Sequence, residues 1–182
     1  MPKYFLGIDP SATSTGLTIL SEGPSYVKTM RIRPGKKRDA ERLHHISEEI
    51  KSFVGDTSID LCVHEAPSYG STHKEFILGE ALGAIKLTLA QLNIPCVGVA
   101  PTQLKKYFTS KGTATKQMMI ERALALGCDS DQEDICDSYA AATLCKDIIV
   151  GPILNSRASR EIRLALGKTL LDKNIYLCNK GT

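Results

Sequence analysis

Four acidic residues at three separate places in the chain have the types and spacing of a shared catalytic site. Asp134 and Asp137, in the segment EDICDSYAAA, are spaced i and i+3, which puts both carboxylates on one face of a helix. Asp9 and Glu65 each end a strand-like run, and each is followed closely by a proline. Sites in open sheets form beyond the carboxyl ends of strands, so we expect all four carboxylates to meet in one crevice.

Such an acidic cluster is unstable unless cations neutralise it. Two unit charges about 4 Å apart repel by roughly 4 kcal/mol at an effective dielectric constant of about 20. Two divalent cations would balance four carboxylates, and oxygen ligands without cysteine or histidine favour Mg²⁺, or Mn²⁺, over zinc. A pair of such ions suits phosphodiester hydrolysis, because one ion activates water while the other stabilises the departing 3′ oxygen.

A purely structural interpretation competes at each acid. Acids near a helix N-terminus also interact favourably with the helix dipole, which is an ordinary explanation for Asp134. Asp137 lies deeper in the predicted helix, beside small residues that suit close packing on a sheet. Unpaired buried acids are rare, which argues against a merely structural role for Asp9 and Glu65.

Two lysines are placed to contact a phosphate group. Lys105, in TQLKKYF, and Lys116, in TATKQMM, flank a glycine-containing loop and could reach a phosphate from opposite sides of the crevice. The histidines are not expected to serve as bases or metal ligands. His44 and His45 point about 100° apart on a predicted helix, and His64 faces the other side of its strand from the neighbouring acid.

The hydrophobic pattern predicts the elements that must position these residues. Strands are predicted at residues 3 to 9, 15 to 20, 25 to 32, 59 to 67 and 95 to 101. Helices are predicted at residues 38 to 54, 74 to 92, 101 to 108, 115 to 126, 133 to about 149, and 158 to 171. A capping box formed by Ser130 and Glu133 is predicted at the start of the helix that carries the two aspartates.

The order of these elements predicts an α/β fold. Short turns join the first three strands, which favours an antiparallel meander. The later strands are separated by helices and can add to the sheet in parallel. The expected architecture is a ribonuclease H-like mixed five-stranded sheet with helices on both faces.

The length and composition of the chain predict one domain. Its 182 residues are 42% hydrophobic and 24% charged, as in ordinary globular proteins. We expect a nuclease domain at residues 1 to 152 and a basic extension at residues 153 to 182, since about 30 residues can hardly bury a core of their own. No apolar run approaches the roughly 18 to 20 residues that span a membrane. Six cysteines without a CxxC pair indicate free thiols in a reducing compartment, so a cytoplasmic location is expected.

Positive charge is concentrated in two stretches of the chain, although the net charge is only +3. Five of the eight residues from 31 to 38 are basic, and residues 156 to 182 hold six lysines or arginines. Either stretch alone is as readily explained as a solvated surface. The expected contacts to a nucleic-acid backbone are Arg31, Arg33, Lys36, Lys37, Arg38, Arg157, Arg160 and Arg163.

The motifs GIDPS, HEAPSY, TQLKKYF, TATKQMM and EDICDSYAAA, taken in this order, resemble the RuvC family of Holliday junction resolvases. The resemblance covers about residues 3 to 150 and implies a homodimeric, Mg²⁺-dependent endonuclease that nicks two opposed strands of a four-way DNA junction. By position, the family's metal ligands correspond to Asp9, Glu65, Asp134 and Asp137. Lys105 and Lys116 correspond to its lysines near the scissile phosphate.

One departure from the family's pattern concerns the segment after Glu65. The family tends to carry a phenylalanine three residues later, associated with opening base pairs at the junction centre. Here that position is Ser68, followed by Tyr69. Tyr69 is the expected substitute, since an aromatic ring can stack on a base. The departure leaves the cleavage-sequence preference open.

The predicted helix at residues 74 to 92 is the candidate dimer interface. It has apolar residues on more than one face, which exceeds what one sheet-facing stripe needs. A twofold dimer would supply two sites related by the symmetry of the junction. The alternative is a helix fully buried inside a monomer.

Three other functions compete with junction resolution. The same fold could cut flaps or other branched DNA. The segment DPSATSTG could cradle phosphates in an actin-like ATPase, although the chain is short for the two lobes of such enzymes. A non-catalytic junction-binding module is disfavoured because all four acids are present. The sequence leaves open the helicase partner, the choice between Mg²⁺ and Mn²⁺, and a bacterial or phage origin.

Overall fold

The structure is a computed structural model that describes residues 2–11, 13–23, 27–67 and 72–172, with side chains described except at 72–75 and 171–172. The strands are β1 (Tyr4–Asp9), β2 (Thr15–Ser21), β3 (Val27–Ile32), β4 (Leu61–Glu65) and β5 (Cys96–Val99). The helices are α1 (Asp39–Val54), α2 (Thr72–Gln91), α3 (Pro101–Thr109), α4 (Lys116–Ala125), α5 (Glu133–Ile149) and α6 (Arg157–Asp172).

The five strands form one mixed sheet in the order β3-β2-β1-β4-β5. The first three strands pair antiparallel, as expected for strands joined by short turns. Strands β4 and β5 follow helical crossovers and add in parallel to β1. The predicted fold class is therefore confirmed.

Helices cover both faces of the sheet, and each strand alternates its side chains between two hydrophobic cores. Phe5 and Leu61 face the core that includes residues of α3, α4, α5 and α6. Leu6 and Cys62, one residue further along each strand, face the core that includes α1 and α2. The odd-numbered positions of β1 and β4 therefore point toward α5.

The long helix α5 lies unusually close to the sheet because two glycines remove side chains between them. A Cβ atom at Gly7 would overlap the backbone of Ser138, and one at Gly16 would overlap the carbonyl group of Asp134. Within the helix, Ala140 and its alanine neighbours are fully buried against the sheet. This close packing brings the N-terminal turn of α5 to the end of β1 and the start of β2.

The predicted capping box at the start of α5 is wrong. The N-cap residue is Gln132, and its side chain makes no capping hydrogen bond. The hydroxyl group of Ser130 instead accepts a hydrogen bond from the Gln132 backbone N–H. Glu133 pairs with Lys116 of α4, because an ion pair with a nearby lysine competes with the reach back to the helix terminus.

The described part of the C-terminal extension, residues 153–172, packs onto the same core as α3 and α5. Helix α6 contacts α3 and α5, and the side chains of Leu154, Ile162 and Leu170 are buried with them. The carboxylate of Asp147 accepts hydrogen bonds from the backbone N–H groups at Ile153 and Leu154, which ties the start of the extension to α5.

The cysteines are free thiols wherever the structure describes them. Cys62, Cys128, Cys136 and Cys145 are buried, and Cys96 is partly buried, as expected. Cys178 lies outside the described residues. Within the described ranges, no helix is both long and apolar enough to cross a membrane.

Candidate active site

Asp9 and Glu65 lie side by side at the ends of the neighbouring strands β1 and β4. In the parallel ladder Ile8 is opposite His64, so the next residue of each strand ends the ladder at the same edge of the sheet. Both acids continue the set of positions that face α5, whereas His64 faces the other side and lies against Gly98. The two acids therefore share the crevice between the sheet and α5.

Helix α5 delivers the other two acids to this crevice. Gly16 is the antiparallel partner of Asp9 and also lies against the backbone of Asp134. Asp134 is consequently next to the end of β1. Asp137 follows one turn later on the same helix face and is largely buried beside Asp9 and Glu65.

The electrostatics of the site follow from this convergence. Burial, followed by the charge of Glu65 and then Asp137, raises the pKa of Asp9 well above its ordinary value. Burial and the charge of Asp137 raise the pKa of Glu65 to about 7. Burial and the charge of Glu133 raise the pKa of Asp137 to about 6. Each of these carboxyl groups thus holds a proton more tightly than it would in water.

The two predicted lysines lie at the same crevice. The positive charge of Lys105 partly offsets the raised pKa of both Glu65 and Asp137. Lys116 is exposed, and its Nζ lies 2.7 Å from Oε1 of Glu133. That hydrogen-bonded ion pair raises the pKa of Lys116, and the charge of Asp137 adds to the effect.

Glu133 is a site residue that sequence reasoning missed. The sequence predicts Glu133 to be half of a capping box. In the structure, its negative charge helps to raise the pKa of both Asp9 and Asp137. Its position one residue before Asp134, opposite a lysine that was already assigned to the site, is the signal that could have identified it.

Arg31 is paired with one of the predicted metal ligands. Its Nε lies 2.5 Å from Oδ2 of Asp134, and the same nitrogen donates a hydrogen bond to Oγ of Ser14. Ser14 in turn donates its hydroxyl hydrogen to Oδ2 of Asp134. Ser14 was not identified from the sequence, and Arg31 was expected to contact DNA.

The donor chemistry of the site fits a hard divalent cation. Its acids are oxygen ligands, and burial makes their unneutralised charges costly, so a cation that replaced protons would relieve both burial and repulsion. Among the residues that the structure describes, no group of three or more histidine, cysteine or acidic side chains is arranged to hold a metal ion. Asp134 is turned toward Arg31, and Glu133 is turned toward Lys116. A shared site therefore requires some of these carboxylates to exchange partners.

The predicted DNA contacts divide into two groups. The basic loop after β3 lies at the same end of the sheet as the acids, because β3 runs in the direction of β1. The basic side chains of this loop are exposed or partly exposed; they belong to Arg33, Lys36, Lys37 and Arg38. Tyr69 lies outside the described residues.

The three arginines of α6 differ in their surroundings. Arg157 is exposed and pairs with Glu161 of its own helix, and Arg160 is also exposed. Arg163 instead lines a cavity with Lys3 and Asp60, at the amino ends of β1 and β4. The structure therefore places Arg163 at the opposite end of the sheet from the carboxylates.

Sequence comparisons agree with this architecture. The family model described as crossover junction endodeoxyribonuclease RuvC matches residues 5–145. A relative with that name from Hydrogenovibrio crunogenus is 34% identical over 152 residues, which is 80% of this chain and 87% of the relative. Another, from an Anaeromyxobacter species, is 30% identical over 142 residues, or 75% of this chain and 77% of the relative.

Structure comparisons find the same fold in solved structures of Thermus thermophilus RuvC. One, in complex with Holliday junction substrate, has a TM-score of 0.66 and 20% identity, and covers 77% of this chain and 90% of that chain. A second has a TM-score of 0.65 and 19% identity, and covers 90% and 96% respectively. With the family match, these similarities confirm the resemblance: this chain belongs to the RuvC family of crossover junction endodeoxyribonucleases.

Proposed function

We propose that this chain resolves four-way DNA junctions by hydrolysing one phosphodiester bond in each of two opposed strands. The family membership supports this function. The observation that carries it is the convergence of Asp9, Glu65 and Asp137 at the shared edge of β1 and β4, where burial and the charges of neighbouring acids raise the pKa of each. Membership of this family also sets aside the actin-like ATPase.

The site is proposed to hold two Mg²⁺ ions, with Mn²⁺ as a substitute. The residues that would hold them are Asp9, Glu65, Asp134 and Asp137. Two divalent charges match four carboxylates, and the hard oxygen ligands suit these metals. The chemistry that bound Mg²⁺ supplies is activation of water and stabilisation of negative charge at the phosphate.

The chain's own side chains prepare and orient the reaction. Glu65 and Asp137 must lose their protons before they can act as metal ligands. Their raised pKa values mean that a cation competes with protons for these oxygens. Lys105 and Lys116 both interact electrostatically with Asp137 and would bind the oxygens of the scissile phosphate. Lys116 must first give up its contact with Glu133.

The protein acts as a homodimer, and the proposed interface is the outer face of α2. Ala81, Ile85 and Leu89 of this helix are buried in the core, but Phe76 and Leu87 are 68% and 61% exposed. These two side chains lie on one helix face, together with Gly79 and Gly83. Among the described residues, no atom lies within 4 Å of the position that a Cβ atom would take at either glycine. This surface, the α2 seam, suits close approach of a second copy and twofold symmetry.

The DNA is proposed to lie across the carboxyl end of the sheet. The basic loop formed by Arg33, Lys36, Lys37 and Arg38 lies at that end and would contact the phosphate backbone. Arg157 and Arg160 are exposed and remain proposed contacts, whereas Arg163 faces a different end of the molecule. The relatives are bacterial proteins, and the bacterial cytoplasm is the proposed location.

A cleavage assay tests the proposed function and its alternative. Purified protein with Mg²⁺ should introduce paired, symmetric nicks in a synthetic four-way junction, and Asp137→Asn should remove cutting, because the site loses one ligand charge. Lys51→Gln, on the exposed surface of α1, is the matched control and should cut normally. Equal cutting of flaps or plain duplex would favour a broader nuclease. Junction binding without any cutting would indicate a non-catalytic module.

A further inference from the structure

Arg31 is bound to Asp134, one of the four proposed metal ligands. The guanidinium Nε and the hydroxyl of Ser14 both contact Oδ2 of Asp134. The pair is largely shielded from water, with 27% of the Arg31 side chain and 18% of the Asp134 side chain exposed. This is a specific cation on a specific carboxylate oxygen, unlike a surface ion pair in free exchange with solvent.

The fold holds Arg31 in this position from several directions. Arg31 is the antiparallel partner of Gly16, the residue whose missing side chain lets Asp134 approach the sheet. Its Nη1 donates a hydrogen bond of 2.9 Å to Oε1 of Gln132. Thr29, two residues earlier on β3, binds the carboxylate of Asp129 before α5. Strand β3 is thus bound at three residues to the start of α5 and the segment before it.

A metal ion and Arg31 cannot both use Asp134 at full strength. A divalent cation bound by the same carboxylate would repel the guanidinium, and each would draw on the lone pairs of the same oxygen. Asp134 must therefore weaken or leave its contact with Arg31 when the other acids gather around a cation. The free energy of that contact counts against cation binding.

We propose that Arg31 is a resident counter-cation for Asp134, which holds this carboxylate while metal is absent and releases it when a divalent cation binds. The proposal rests on the metal-dependent function proposed above. Arg31 is a positioning residue, because it acts through Asp134 and Ser14. Its presence stabilises the metal-free protein and lowers the affinity of the site for the cation.

Cation binding to the full chain tests this role without measuring cleavage. The half-saturating Mn²⁺ concentration is measured by calorimetric titration, and the melting temperature is measured with chelator and with saturating Mn²⁺. In Arg31→Gln, the half-saturating Mn²⁺ concentration should fall by about tenfold or more, the fold-change equivalent to one hydrogen bond between charged groups. The melting temperature in chelator should fall by a few degrees. Lys51→Gln removes an equal charge from an exposed pair with Glu48 and should change neither quantity.

Two further variants keep the test decisive if Arg31→Gln folds poorly. Arg31→Lys retains the positive charge and should bind Mn²⁺ nearly as the wild type does. Ser14→Ala removes the hydroxyl that joins Arg31 to Asp134 and should tighten Mn²⁺ binding by a smaller factor.

Each outcome separates this inference from the proposed function. Unchanged or weaker Mn²⁺ binding in Arg31→Gln, beside a wild type that binds, overturns the counter-cation role and leaves the nuclease proposal intact. A lower melting temperature without tighter binding would show Arg31 to be only structural. A wild type that binds no Mn²⁺ would refute the metal site itself.

Discussion

Gly16 lies against the backbone carbonyl of Asp134, so that a single methyl group at residue 16 would occupy the space of the helix. Because Gly16 is also the ladder partner of Asp9, this contact sets the distance between the strand acid and the helix acids. The geometry of the site thus depends on the absence of one side chain.

Gly16→Ala should therefore push α5 away from the sheet. We expect a loss of about 2 to 4 kcal/mol in the free energy of unfolding, comparable to overpacking in a core, and weaker Mn²⁺ binding. Chemical denaturation and calorimetric titration measure the two effects. Gly167→Ala, in α6, is the control. In the part of the chain that the structure describes, no atom lies within 4 Å of a Cβ at that position, and alanine in a helix should stabilise by up to about 1 kcal/mol. A neutral Gly16→Ala would contradict the close packing.

The raised pKa values of Glu65 and Asp137 make the metal-free protein sensitive to pH. The folded values are about 7 and about 6, against ordinary values of 4.5 and 3.8, so the folded state holds protons that the unfolded chain has released. The unfolding free energy contributed by these groups is present below the ordinary values and lost as pH rises through the folded values.

Asp137→Asn should reduce the loss of unfolding free energy at high pH. The variant no longer buries a charged carboxylate at this position, and its amide does not repel the neighbouring acids. In chelator at about pH 8 we expect the variant to be more stable than the wild type by about 1 kcal/mol, and at about pH 5 the difference should shrink. Thermal unfolding across this range, with and without Mg²⁺, provides the measurement. A variant less stable than the wild type at high pH would argue against a repulsive cluster.

The α2 seam predicts how the dimer can be broken. Leu87→Glu places a charge on the proposed interface and should yield monomers, because burying an unpaired carboxylate costs several kcal/mol. Sedimentation measures the oligomeric state, while Mn²⁺ binding should persist. Leu124→Glu, at an exposed leucine of α4, is the matched control and should remain dimeric. A dimeric Leu87→Glu protein would place the interface elsewhere.

We expect the buried hydroxyl group of Tyr107 to help anchor the C-terminal extension to α5. It donates a hydrogen bond of 2.6 Å to Asp147, which also accepts from the backbone of Ile153. Tyr107→Phe should cost about 1 to 3 kcal/mol and speed amide exchange in α6, because a buried carboxylate loses a donor.

Tyr139→Phe is the matched control for the extension. It removes a hydrogen bond of the same length, to the carbonyl of Leu126, nearer the start of α5. Amide exchange in α6 should stay at the wild-type rate in this variant. Equal loosening of α6 in both proteins would mean that the extension is not anchored through Asp147. We infer that residues 153 to 172 form part of the same domain.

The local properties of the site could be predicted from the sequence. Asp134 and Asp137 share a helix face because of the helical period, and Asp9 and Glu65 end strands because apolar runs stop there. The order of strands and helices then predicted the mixed sheet, since short turns favour antiparallel pairs and helical crossovers permit parallel ones. These inferences need only covalent geometry and near neighbours along the chain.

The partners of the charged side chains were decided by the tertiary structure. Arg31 reached Asp134 instead of projecting to solvent, because the β2–β3 register places it opposite Gly16. Glu133 pairs with Lys116 instead of forming the predicted capping box, because α4 places the Lys116 Nζ 2.7 Å from Oε1 of Glu133. Arg163 lies on α6 at the end of the sheet opposite the carboxylates. A charge acts through space, so its partner depends on register and helix packing, which spacing along the chain does not specify.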